Sequence, residues 1–107
     1  MRAQLDAEIT LRRGCGVLAV IGDLDQATAA RYEALVAGIV RVPGVERVEL
    51  DCRALEFVDA AGLHALLRSR VVAWSAGVEW FVGPTSTALR RVLDLVGVGS
   101  LHDASMN

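Results

Sequence analysis

Short apolar segments of strand character alternate along this chain with segments whose apolar residues recur at helical spacing, and this alternation constrains the fold more than any other feature. Val45 to Cys52 places Val48, Leu50 and Cys52 on one parity, and Leu55-Glu56-Phe57-Val58 carries the segment toward a turn at Asp59-Ala60-Ala61-Gly62. That pattern predicts the central strand of a sheet. From Ala60 the period changes to Leu63, Leu66, Leu67, Val71 and Trp74, a helical stripe that ends near Ala76-Gly77. Val78 to Val82 reads as a further strand. Gly83-Pro84 is expected to turn the chain, and Thr85 to Val96 to form a helix with Leu89, Val92, Leu93 and Val96 on one side.

The N-terminal half follows the same logic. Ile9 to Leu11 and Val17 to Ile21 are short apolar segments on either side of Arg12-Arg13-Gly14-Cys15-Gly16, the pattern of a hairpin with a glycine-containing loop. Gly22-Asp23-Leu24-Asp25 breaks the alternation. Asp25 can cap a helix from about Gln26 to Val40, with Ala29, Tyr32, Val36 and Ile39 at helical spacing, and Pro43-Gly44 ends it. Strands alternating with helices predict an α/β domain with a mixed, mostly parallel sheet, right-handed crossovers and an N-terminal antiparallel hairpin. The 107 residues suit one domain, residues 1–107, with a weakly ordered tail expected from about residue 100.

Composition excludes several classes of function. An apolar fraction of 53% suggests strands covered on both faces, yet no apolar run approaches the roughly 20 residues that a membrane-spanning helix needs. Acids in Gln4-Leu5-Asp6-Ala7-Glu8 stand where a signal peptide would be basic and then apolar, so the cytoplasm is the expected compartment. Cys15 and Cys52 have neither disulfide-framework nor zinc-site spacing and read as small packed hydrophobes. Eleven arginines, with no lysine, lie scattered among thirteen acids for a net charge of −2, which is no nucleic-acid footprint.

The chemistry of a catalytic site is also missing from the pattern. His64 and His102 have no His or Cys at ligand spacing, so no metal is expected. Gly14-Cys15-Gly16-Val17-Leu18-Ala19 loosely matches a dinucleotide fingerprint, but it leads into a strand where the motif must open a helix, and it reads as a turn. Neither a phosphate-cradling loop nor a nucleophile elbow is present. Asp23 and Asp25 could serve acid and base chemistry, but their flanks read as a turn and a cap. A small hydrolase or phosphatase would require a nucleophile paired with a base, and none can be paired. The expectation is a protein that is not an enzyme and has no cofactor.

What remains is a turn that can recognise. Asp59-Ala60-Ala61-Gly62 lies where a strand delivers the chain to a helix, a position that offers free backbone N–H groups and the positive end of the helix dipole. Asp59 taken alone is equally a plain helix cap. The segment from Val48 to Leu67, with its apolar strand, its acid and Asp59-Ala60-Ala61-Gly62-Leu63, resembles the STAS domain of anti-sigma factor antagonists. Val20-Ile21-Gly22-Asp23-Leu24-Asp25 is similar to that family's Gly-Glu-Leu-Asp turn, and Arg91-Val92-Leu93-Asp94-Leu95-Val96-Gly97-Val98 to its C-terminal helix ending.

The resemblance covers nearly the whole chain. It implies a four- or five-stranded sheet with about three to four helices, and a bacterial partner switch in place of a reaction. In such a switch the antagonist binds an anti-sigma factor of serine kinase/ATPase fold and frees a sigma factor, and phosphorylation of a serine at the start of the second helix ends the complex. Carried onto this sequence, that serine falls on Ala61 and the serine before it on Ala60, so neither position can be phosphorylated. Thr85, Ser86 and Thr87 are the nearby hydroxyls and read first as helix caps. The expected partner surface comprises Asp23, Leu24, Asp25, Val58, Asp59, Ala60, Ala61, Gly62, His64 and Arg68. A STAS subunit of an ABC-type lipid transporter, clasping its ATPase through the same face, is the alternative. A homodimer is compatible with the apolar content.

Overall fold

The computed structural model describes residues 4–95, in which four strands and three helices follow one another in the order β1 (Leu5–Arg12), β2 (Cys15–Leu24), α1 (Ala29–Val40), β3 (Arg47–Val58), α2 (Ala60–Ser75), β4 (Glu79–Thr85) and α3 (Thr87–Leu95). The strands form one sheet in the order β1-β2-β3-β4. β1 and β2 are antiparallel, while β2, β3 and β4 run parallel, so the hairpin-first mixed sheet expected from the sequence is present.

The hairpin turn is tighter than the sequence suggested. Arg12 pairs with Cys15, leaving only Arg13 and Gly14 to reverse the chain. Both adopt positive φ, 27° and 79°, as a two-residue turn matched to the right-handed twist of its strands requires.

Alternate residues of the strands are buried. Leu18, Val20, Val48, Leu50, Cys52, Trp80 and Val82 enclose one core with Tyr32, Val36 and Ile39 of α1 and Leu66 and Ala73 of α2. Within it Ser69 joins three elements: its Oγ lies 2.8 Å from the Tyr32 hydroxyl, accepts from Trp80 Nε1 at 3.0 Å, and lies 2.6 Å from the Leu66 carbonyl. All buried side-chain polar atoms among the described residues have partners. Burial, foremost, pushes the Tyr32 hydroxyl well above its ordinary pKa, so it stays a neutral hydrogen-bonding group.

Several element boundaries differ from expectation. Gly22 to Leu24 do not break β2; the strand continues through irregular register at Ala19/Ile21 and Gly22/Asp23, because a bulge absorbs the extra residue and glycine takes φ 102°. Gly83-Pro84 lies inside β4, which an edge strand tolerates because the proline's missing N–H is not needed by a neighbour. α3 therefore starts at Thr87 and not at Thr85, with the Ser86 Oγ accepting from Leu89 N–H at 3.1 Å as a cap. α1 starts at Ala29 and not at Gln26, since residues 26–28 form a turn. Val96, the Gly97-Val98 end of the third motif, His102 and the tail expected from about residue 100 lie outside the described residues.

Candidate functional site

The two turns singled out in the sequence meet at the C-terminal ends of β2 and β3. In the first, Asp25 Oδ1 accepts from the N–H groups of Ala27 at 3.0 Å and Thr28 at 3.1 Å. Thr28 returns the contact, its Oγ1 accepting from Asp25 N–H at 3.0 Å and donating to the Asp23 carbonyl at 2.9 Å. Asp25 thus acts as the expected cap, but of the turn that leads into α1.

In the second turn Asp59 caps α2, its extended backbone (φ −105°, ψ −174°) letting Oδ1 accept from Gly62 N–H at 2.8 Å. The other carboxylate oxygen lies 3.4 Å from Gln26 N–H, so one side chain spans both turns. Beneath them the Leu24 carbonyl accepts from Asp59 N–H at 3.3 Å. A Cβ on Gly62 would stand 1.9 Å from that carbonyl oxygen, so this position has room for glycine alone.

Of the ten residues expected on the surface, Leu24, Val58 and Gly62 are buried. The alternation of β2 and β3 turns Leu24 and Val58 inward, and the close Leu24–Gly62 contact seals the third. These residues shape the surface from below, and its outward part consists of Asp23, Asp25, Asp59, Ala60, Ala61, His64 and Arg68.

Arg68 is already engaged. It binds both carboxylate oxygens of Glu33 on α1 and lies 3.0 Å from His64 Nδ1. The hydrogen bond donated by Arg68, foremost, holds the Glu33 carboxyl below the usual glutamate range.

Sequence reasoning missed three apolar members. Phe57, paired in register with Asp23, is 51% exposed beside the turn. Val71 and Trp74, read as part of the helical stripe, are 57% and 62% exposed. The buried line of α2 passes through Gly62, Leu66, Ser69 and Ala73, so Ala60, His64, Leu67, Val71 and Trp74 share the opposite side at helical spacing. The signal was the small residues at 62, 69 and 73, which mark where α2 packs closely. Among the described residues no group of three or more His, Cys, Asp or Glu is disposed to hold a metal ion, and no helix is long and apolar enough to cross a membrane.

The fold and this turn define a known class. The sequence profile of the STAS domain matches residues 6–103, and the chain belongs to that family. An anti-sigma factor antagonist from Mycobacterium paratuberculosis superposes with a TM-score of 0.76 at 23% identity over 91% of this chain and 81% of that one. The unphosphorylated anti-sigma factor antagonist SpoIIAA gives 0.72 at 18% identity, over 92% and 84%. A sulfate transporter family protein from Wolinella succinogenes gives 0.68 at 20%, over 90% and 78%. No curated protein matches the chain by sequence.

Proposed function

We propose that this protein is an anti-sigma factor antagonist, acting in the cytoplasm as a binding module and not as an enzyme. It engages an anti-sigma factor of serine kinase fold and so releases a sigma factor. The observation that carries this reading is the exposure of large apolar side chains on both elements that flank the Asp59-Ala60-Ala61 turn: Phe57 near the end of β3, and Val71 and Trp74 on the outer side of α2. Exposed aromatic anchors beside small residues and fixed charge are what a recognition surface needs, since large apolar groups supply binding energy where small ones permit close approach.

Two solved antagonists share the fold, and one of them, SpoIIAA, is described in both unphosphorylated and phosphorylated forms. Here Ala60 and Ala61 occupy the start of α2, so binding is constitutive with respect to modification at that place. Ser86 caps α3, and Thr85 Oγ1 accepts from Arg90 at 3.2 Å; both hydroxyls have structural roles.

The test is reconstitution with a purified kinase-fold anti-sigma factor, its sigma factor and ATP. The protein should displace the sigma factor, take up no phosphate, and keep its complex. Ala61→Ser should become phosphorylated and lose the complex. Binding to a transporter ATPase, with none to the anti-sigma factor, would reject the reading in favour of a transporter subunit.

A further inference from the structure

β1 is the outer strand of the sheet and pairs with β2 along its whole length without a register shift. The Gln4 carbonyl accepts from Asp23 N–H at 2.9 Å, so even-numbered residues of β1 direct their backbone groups to β2. By the alternation of antiparallel pairing, Leu5, Ala7, Ile9 and Leu11 direct theirs away from the sheet. The guanidinium of Arg31 takes the Leu5 carbonyl and closes that end. A straight strand of this kind is a template for another strand unless proline, lysine or a bulge protects it. The opposite edge, β4, has Pro84 and irregular register; β1 has no such protection.

The side chains add a second feature. Ile9 and Leu11 are 47% and 52% exposed and border an open apolar groove of about 320 Å³ whose far wall is Ala34, Leu35, Gly38 and Val42. A Cβ on Gly38 would meet nothing within 4 Å, so α1 offers room beside the groove.

We propose that β1 joins two copies of this chain, paired antiparallel about a two-fold axis at Ile9 into one continuous sheet. The occupant is identified by the order of charges on the exposed even positions: Asp6 and Glu8, then Thr10, then Arg12. Reversal about Ile9 sets Asp6 against the second copy's Arg12 and Glu8 against its Thr10, while Ala7 meets Leu11 and Ile9 meets Ile9. Centring on Ala7 or Glu8 would oppose acid to acid, which destabilises a pair. A slip of one residue would send the apolar side chains to the other face. Centring on Thr10 would pair Glu8 with Arg12 but leave Asp6 beyond the overlap. An axis perpendicular to the sheet keeps both α1 helices on one face, with each copy's Ile9 and Leu11 at the other's groove.

Sedimentation velocity over a concentration series tests this on the wild type, Asp6→Arg, Arg12→Asp and the double exchange. The wild type should dimerise. Each single reversal should raise the dimer dissociation constant about tenfold, and the exchange should restore it. Hydrogen exchange supplies an independent readout on the wild type: the amides of Ala7, Ile9 and Leu11 should gain protection as concentration rises. A monomer at all concentrations, a dimer indifferent to single reversals, or no concentration-dependent protection of these amides would overturn the proposal.

Discussion

The carbonyl oxygen of Leu24 and the α-carbon of Gly62 are in such close contact that a methyl group on Gly62 would lie 1.9 Å from the oxygen. This contact fixes the distance between the end of β2 and the first turn of α2, and with it the relation of the Asp23–Asp25 turn to the Asp59–Ala61 turn. Both motifs therefore depend on one residue without a side chain.

Gly62→Ala should accordingly be among the most damaging single-methyl changes in the chain. The obstacle is backbone and cannot rotate away, so a loss of about 3 kcal/mol is expected, the upper end for overpacking. Ala61→Gly, one residue earlier and half-buried, should cost about 1 kcal/mol or less through helix propensity. Thermal or denaturant unfolding of the two variants checks the contrast.

Ser69→Ala should destabilise by roughly 2 to 4 kcal/mol, because it leaves the Tyr32 hydroxyl and the Trp80 indole N–H buried without their shared partner. Adding Tyr32→Phe removes one of the orphaned groups, so the double variant should lose less than the sum of the singles. Strict additivity in a double-mutant cycle would contradict the shared network.

Cys52 and Cys15 should differ sharply toward alkylating reagents. Burial, foremost, pushes the Cys52 thiol up to about 12, while Cys15 is half-buried in the hairpin. The thiolate is the reactive form, so labelling at neutral pH should modify Cys15 first and Cys52 only after unfolding. Mass spectrometry of briefly treated native protein reads the difference.

The Glu33–Arg68 pair ties α1 to α2 and gives a pH dependence of known sign. A carboxyl whose folded pKa is depressed contributes stability fully present above its ordinary unfolded value, and that stability is lost as pH falls through the depressed folded value. Glu33→Gln should therefore be less stable than wild type at neutral pH and equal to it in strong acid. Both side chains are partly exposed, so the neutral-pH difference should be about 0.5 kcal/mol, measured by denaturant midpoints at each pH.

The succession of strands and helices, the hairpin and the inner side of α1 were legible because each rests on local pattern: Val48, Leu50 and Cys52 share a parity, and Tyr32, Val36 and Ile39 share a helix side. The end of β2 was not legible, because a bulge conceals a strand behind a glycine and an acid. The extent of β4 was concealed for another reason: proline reads as a break until its strand is known to lie at an edge. On α2 apolar residues occur all round, and only packing decides that Leu66 faces inward while Val71 and Trp74 face out. The candidate surface was thus half visible. Its turns follow from sequence, but its aromatic part depends on tertiary contacts.

The surface at the start of α2 is proposed to hold a kinase-fold anti-sigma factor. This is tested most directly by titrating that partner, by calorimetry, with wild-type protein and with Ala61→Glu. The substitution places a carboxylate beside Asp59 at a half-buried position near the helix N-terminus, where local stability should survive but a packed interface should not. The wild type should bind tightly and Ala61→Glu should lose about a hundredfold or more in affinity, with the variant's melting temperature nearly unchanged. Equal affinities in two folded proteins would contradict that proposal.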